Sequence, residues 1–276
     1  MQPKKYLEQL PRWVALYNSG LNCYQIAETT GHDHRKVWLY LKNAGMVFRP
    51  RASLNKKHQI NEAAFDQLTP TSVYWLGVLY GDGNLGSLTK YKSYTIGLCG
   101  HSDDAEHGRR FLEFLGATTY PIRFRKDKKA YQVVVSSKKL YERLMALGLY
   151  SNKSNTIPFP TWVTEDLLPY FVLGLFDTDG CICVRARKRY VTKQGTFSIV
   201  MNTGFVKTLA GRMHQTLGLR KCVRPCKNTH GVTSGWSVEG LNKLRTLYHW
   251  LYPANAPMVY LNRKHDKFAE LVKNPS

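Results

Sequence analysis

Acidic residues are scarce in this chain. Its 276 residues hold 19 Asp and Glu against 40 Lys and Arg, a formal charge of +21. So large a surplus on an aromatic-rich chain points to a polyanionic partner. Cysteine is also sparse, at six residues. That is too few for a disulfide scaffold and is in keeping with reduced thiols. Long apolar runs are missing: the longest, Leu167 to Phe176, contains Pro169 and is far too short to span a bilayer. The first residues, MQPKKYLEQLPRW, lack an apolar signal core, so the expectation is an intracellular protein of the cytoplasm or an organelle matrix. Hydrophobic residues still make up 43% of the chain, enough to bury a real core.

Two short stretches are versions of one another. Trp75-Leu76-Gly77-Val78-Leu79-Tyr80-Gly81-Asp82-Gly83 and Val172-Leu173-Gly174-Leu175-Phe176-Asp177-Thr178-Asp179-Gly180 are both apolar and helical in character, and both end on an Asp-Gly. Gly77 and Gly81 are four apart and share a helix face, as do Gly174 and Thr178. Small residues on one face let two helices pack with their backbones close. The closing acids, 97 residues apart in sequence, would then emerge together at the helix C-termini. There the helix dipole is negative and favours a cation. Gly83 and Gly180 suit the left-handed conformation that ends a helix. Paired carboxylates in this setting form an oxygen-rich site suited to Mg²⁺.

The elements after each motif repeat as well. The first half reads as helix 71–81, strands near 84–90 and 94–101, helix 103–115, strands near 119–126 and 130–136, and helix 137–147. The second reads as helix 169–178, strands near 181–190 and 196–202, helix 206–217, strands near 221–227 and 234–239, and helix 241–251. The order αββαββα thus occurs twice, which signals a duplication. The fold class is α+β, with domains at 70–150 and 169–276 joined by a linker at 151–168.

The first 46 residues form a separate all-α unit. Leu7, Leu10, Val14 and Tyr17 line one side of a first helix, ended by Gly20. Asn22 caps a second helix with Ile26 and Ala27 inside, and Gly31 makes a turn. Asp33 caps a third helix with Val37, Leu41 and Ala44 inside, closed by Gly45. The run resembles the helix-turn-helix of site-specific recombinases and bacterial regulators. That resemblance puts the third helix in a major groove and His34, Arg35 and Lys36 against DNA. Residues 47–69 read as a basic linker, in which Arg49 and Arg51 can follow phosphates.

The two motifs resemble those of the LAGLIDADG homing endonucleases in their single-chain, two-repeat form. GLFDTDG at 174–180 is close to the family pattern. GVLYGDG at 77–83 departs from it at Tyr80, where the family often has Asp. The resemblance covers roughly residues 70–270 and implies a saddle of two antiparallel sheets on double-stranded DNA. It further implies Asp82 and Asp179 as metal-binding catalytic acids, with Gly81 and Thr178, the residues just before them, in the metal set. The implied cofactor is Mg²⁺, with Mn²⁺ an allowed substitute, and the implied reaction is hydrolysis of both strands leaving 3′ overhangs by a monomer. Family members carry a basic residue near each metal. Lys153 and Lys264 occupy corresponding places after the two repeats, with Arg263 a rival for the second. His101 and Asn202, at the ends of the second strands, are candidates for ordering water. Alternation along strands puts Arg185, Arg187 and Arg189 on one face, and Arg123 with Arg125 on another, suited to guanine contacts. The rival function is a non-catalytic one, an RNA maturase acting on intron RNA or a transcription regulator on the same scaffold.

Overall fold

A computed structural model describes residues 4–48, 58–86, 94–185, 194–227, 232–253 and 259–273. Arg49, Arg51, Arg187 and Arg189 lie outside the described residues. Arg185 is described only as part of a strand. The chain divides into two units, residues 1–57 and 58–276. The described residues form ten α-helices and eight strands.

In the first unit α1 (Lys4–Asn18), α2 (Cys23–Thr30) and α3 (His34–Asn43) enclose one small core. Asn22 accepts from the Gln25 N–H at 3.0 Å and the Gln25 side chain accepts from the Asn22 N–H at 2.9 Å, a reciprocal capping box. Gly31 takes the left-handed conformation that the turn needs. Asp33 caps α3 by accepting from the Arg35 N–H at 2.8 Å. The expected interior face of α1 is rotated. Trp13 is fully buried at its centre with Tyr17, whereas Leu7 is exposed. Residues 6, 10, 13 and 17 form the stripe, because an indole fills the three-helix centre better than leucines set one step round. Tyr40, not Ala44, completes the face of α3.

In the second unit α4 (Pro70–Gly81) and α7 (Leu168–Asp179) are apolar nearly all round and buried along most of their length. That pattern marks a helix at the centre of a core. Around them lie two sheets with identical connectivity. β1 (Gly83–Leu85), β2 (Thr95–His101), β3 (Arg123–Arg125) and β4 (Ala130–Ser136) pair antiparallel in the order β1-β2-β4-β3. β5 (Gly180–Arg185), β6 (Gln194–Asn202), β7 (Val223–Pro225) and β8 (Thr233–Glu239) pair in the matching order β5-β6-β8-β7. α5 (Ala105–Phe114) and α6 (Lys138–Ala146) belong to the first repeat, α8 (Thr203–Leu217) and α9 (Leu241–Leu251) to the second. This is the duplicated αββαββα architecture, two four-stranded antiparallel sheets about a central helix pair.

Three further features depart from the sequence reading. A further helix, α10 (Asn262–Lys273), follows α9 and carries Lys264. The expected linker at 47–69 is shorter, since the chain joins the second unit from His58 and Phe65 is fully buried in its core. Gly83 and Gly180 are not left-handed: Gly180 is extended at φ −90° and ψ 156°, and neither has positive φ. The helix instead passes directly into a strand that folds back over its last turn. A Cβ at Gly180 would overlap the Phe176 carbonyl oxygen, and one at Gly83 that of Leu79.

Candidate active site at the ends of the paired helices

The helix pair sets the site. A Cβ on Gly77 would overlap the Phe171 carbonyl oxygen and lie 3.1 Å from the Gly174 Cα. One on Gly174 would overlap the Tyr74 carbonyl oxygen and lie 2.9 Å from the Gly77 Cα. The two glycines therefore touch, and no other residue fits at either place. One turn further on, a Cβ on Gly81 would fall 2.6 Å from Asp179 Oδ2. The carboxylate of the second repeat thus lies against the backbone of the first, beside Asp82. The sequence expectation that small residues on α4 and α7 bring the acids together is realised.

The acids are held under electrostatic pressure. Burial, then the nearby Asp82 charge, pushes the Asp179 carboxyl up to about 6. Burial also raises Asp82, opposed by the Lys264 and Lys153 ammonium groups, although its flank stays open to solvent. Two carboxylates that repel one another in this setting disfavour ionising together.

Each repeat places a buried lysine under its helix end. Lys153 donates to the Gly81 carbonyl at 2.9 Å. Lys264 donates to the carbonyls of Phe176 (2.7 Å), Thr178 (3.2 Å) and Gly180 (2.7 Å). They neutralise the negative helix ends and engage carbonyls there, that of Phe176 alongside the Gly180 N–H. Burial lowers both amines, opposed by Asp179 and Asp82 at Lys153 and chiefly by Asp177 at Lys264. Lys264, not Arg263, fills the second slot. Arg263 forms a bidentate ion pair with Asp104 at 2.8–2.9 Å.

The oxygen donors fit a hard divalent cation: the Asp82 and Asp179 carboxylates, with the Gly81 and Thr178 carbonyls each retaining a lone pair beyond the one a lysine occupies. Among the described residues no three His, Cys, Asp or Glu side chains cluster as a metal cage. Such a site would take its remaining ligands from water and phosphate.

His101 and Asn202 separate in the structure. His101 is exposed, and with Asp82, His107 and Asp177 it lines a polar cavity of about 60 Å³. Asn202 is buried, and both ends of its amide are engaged. It accepts from the Phe205 N–H at 3.0 Å as the cap of α8 and donates to the Ile157 carbonyl at 2.7 Å. Its amide is thus committed to the α8 cap and to the Ile157 carbonyl. Its outward parity is overridden by the cap it makes.

Arg123 and Arg125 are exposed on one face of β3, as alternation predicts. Strand register reveals a partner that sequence reasoning missed. His101 pairs with Ala130 and Asn202 with Thr233, so Gln132 and Gly235 are equivalent. Arg123 pairs with Gln132 and Arg224 with Gly235. Arg224 is thus the counterpart of Arg123, hidden in sequence by the one-residue shift between β3 and β7. In the helical unit Arg35 and Lys36 are exposed, whereas the His34 ring stacks on Tyr24 at 4.2 Å. Trp38 and Leu39 are also exposed on α3, with the Lys42 ammonium 4.9 Å from the Trp38 ring.

No family model and no curated protein matches the sequence. Solved structures do. The LAGLIDADG homing endonuclease I-LtrWI bound to target DNA superposes with a TM-score of 0.52 at 12% identity, over 74% of this chain and 91% of that one. The LAGLIDADG meganuclease I-AabMI bound to uncleaved DNA gives 0.51 at 13%, over 74% and 90%. The meganuclease I-SmaMI bound to uncleaveable DNA gives 0.50 at 13%, over 75% and 88%. With its duplicated sheets, touching glycines and converging acids, the chain has the two-repeat fold of the LAGLIDADG homing endonucleases.

Proposed function

We propose that the protein is a site-specific endonuclease that hydrolyses both strands of double-stranded DNA with Mg²⁺ and leaves 3′ overhangs. The observation that carries this reading is the convergence of Asp82 and Asp179 at one end of a glycine-packed helix pair. The +21 charge and the similarity to DNA-bound endonucleases support it. Asp82 and Asp179, with the Gly81 and Thr178 carbonyls, would hold the metal. A divalent ion held there would supply a water of lowered pKa and charge stabilisation for the leaving 3′ oxygen. Lys153 and Lys264 keep the acids' helix ends fixed and offset the negative charge that builds on the phosphate. The outward faces of the two sheets, through Arg123, Arg125 and Arg224, meet the grooves. The helix-turn-helix lengthens the footprint through Arg35 and Lys36.

The test is Mg²⁺-dependent cleavage on a library of long duplexes, with an Asp82→Asn, Asp179→Asn double variant as control. A defined cut site lost in the control supports the reading. Tight binding to structured RNA or duplex without cleavage moves the protein to the maturase or regulator reading.

A further inference from the structure

The residue two places before each acid differs between the repeats, Tyr80 in one and Asp177 in the other. Both are buried. Asp177 Oδ2 accepts from the Leu261 N–H at 2.8 Å and from the Tyr74 hydroxyl at 2.7 Å. Leu261 immediately precedes α10, and its carbonyl accepts the N–H groups of Lys264 (3.0 Å) and His265 (3.1 Å). Asp177 therefore grips the residue that starts the helix carrying Lys264. Tyr74 comes from the first repeat and is itself 2.6 Å from His107 Nε2, which ties this grip across the helix pair. In the first repeat the Tyr80 hydroxyl donates to the Leu147 carbonyl at 2.7 Å. Leu147 ends α6, and the chain runs from it through a left-handed Asn152 to Lys153. The Trp162 indole donates to the same carbonyl at 2.9 Å.

We infer that Tyr80 and Asp177 are matched positioning residues: each anchors the segment that carries the lysine of its own repeat, Lys153 or Lys264, beneath the helix end that bears the acid. The longer phenol reaches a carbonyl where the shorter carboxylate reaches an N–H, so opposite hydrogen-bonding roles do the same task. Tyr80, the departure from the family pattern, is on this view a substitution that preserves the anchor. The importance of the lysines to cleavage rests on the proposed function; the anchoring itself does not.

The two are tested separately. Acylation of the full chain with an N-hydroxysuccinimide ester, read residue by residue by mass spectrometry, reports lysine exposure without DNA or metal. In the unsubstituted protein Lys153 and Lys264 should react far more slowly than surface lysines. Asp177→Ala should raise Lys264 reactivity about tenfold, the scale of a lost hydrogen bond to a charged acceptor, and leave Lys153 unchanged. Tyr80→Phe should raise Lys153 alone and by less, since Trp162 still holds Leu147. Asp177→Asn should stay near wild type, because both bonds fall on one oxygen that an amide oxygen can replace. Equal exposure of both lysines in Asp177→Ala, or loss of protection in Asp177→Asn, would overturn the inference. Should Asp177→Ala fail to fold, Asp177→Asn and Tyr80→Phe still decide it. On a cleavable duplex, Asp177→Ala and Tyr80→Phe should accumulate nicks in opposite strands. Nicking without strand bias counts against the inference, whereas an unsubstituted protein that cuts nothing counts against the proposed function and leaves the acylation result standing.

Discussion

The two repeats share a backbone plan and differ in how side chains complete it. Lys153 satisfies one carbonyl and Lys264 three. The cap that ends the second strand is an exposed histidine in one repeat and a buried asparagine in the other. Among the described residues the second repeat adds an α-helix after its αββαββα order, and that helix brings in its lysine, whereas Lys153 opens a single 3-10 turn. Pseudo-symmetry is thus strict where the repeats meet, at Gly77, Gly174 and the two acids, and relaxed away from the contact. Backbone against backbone tolerates no substitution. A lysine under a helix end can be delivered from several directions.

The largest test of this comparison is at its symmetric centre. Asp82→Asn and Asp179→Asn should each lower cleavage of both strands by about 10³-fold or more while duplex affinity holds, as for groups that act as a unit. Single-turnover cleavage with parallel binding isotherms measures this, and an active single variant would break the equivalence. Next come the touching glycines. Gly77→Ala and Gly174→Ala should each cost about 3 kcal/mol, at the upper end of overpacking, or a melting temperature lower by about 6–12 °C. Gly211, on α8 with nothing within 4 Å of its would-be Cβ, is the control. Gly211→Ala should leave stability unchanged or raise it by up to about 1 kcal/mol.

Titration should separate the acids. The folded pKa of Asp179, about 6, lies above the usual carboxylate value, so folding favours its protonated form. Its ionisation penalty is absent below pH 4 and fully expressed above pH 6, up to about 3 kcal/mol. His107, lowered by burial to about 4, works the other way: its stabilisation is present above pH 6.5 and lost as pH falls towards 4. The difference between wild type and Asp179→Asn in chelator removes the His107 contribution. Denaturant melts should show the variant more stable at pH 7, with the gap closing towards pH 4 and narrowing at pH 7 when Mg²⁺ is restored. An Asp82→Asn gap of equal size would mean the two acids share the strain evenly. The smallest effect lies outside both repeats. Deleting residues 1–46 should weaken duplex binding and flatten its salt dependence by about 1–2 units of slope, the share of one or two phosphate contacts. An unchanged slope would mean the helical unit touches no phosphate.

Much of this was legible in the chain. The 3.6-residue and two-residue hydrophobic periods marked the repeated elements, the caps Asn22 and Asp33 marked the helical unit, and the glycine spacing with Asp-Gly marked the acids. These are local signals, and here each is reinforced by what it packs against. The sequence by itself determined the duplication, the apolar helix pair and the two acids that end it. Only the tertiary structure decided which polar atoms were already engaged. It committed Asn202 to a cap and Arg263 to Asp104, matched Arg224 to Arg123 through strand register, and put Asp177 and Tyr80 to work as anchors. Those assignments join residues up to 159 positions apart, Arg263 and Asp104 being the widest. No local pattern encodes them, because a hydrogen bond depends on where folding brings a donor and an acceptor, not on how far apart they stand in the chain.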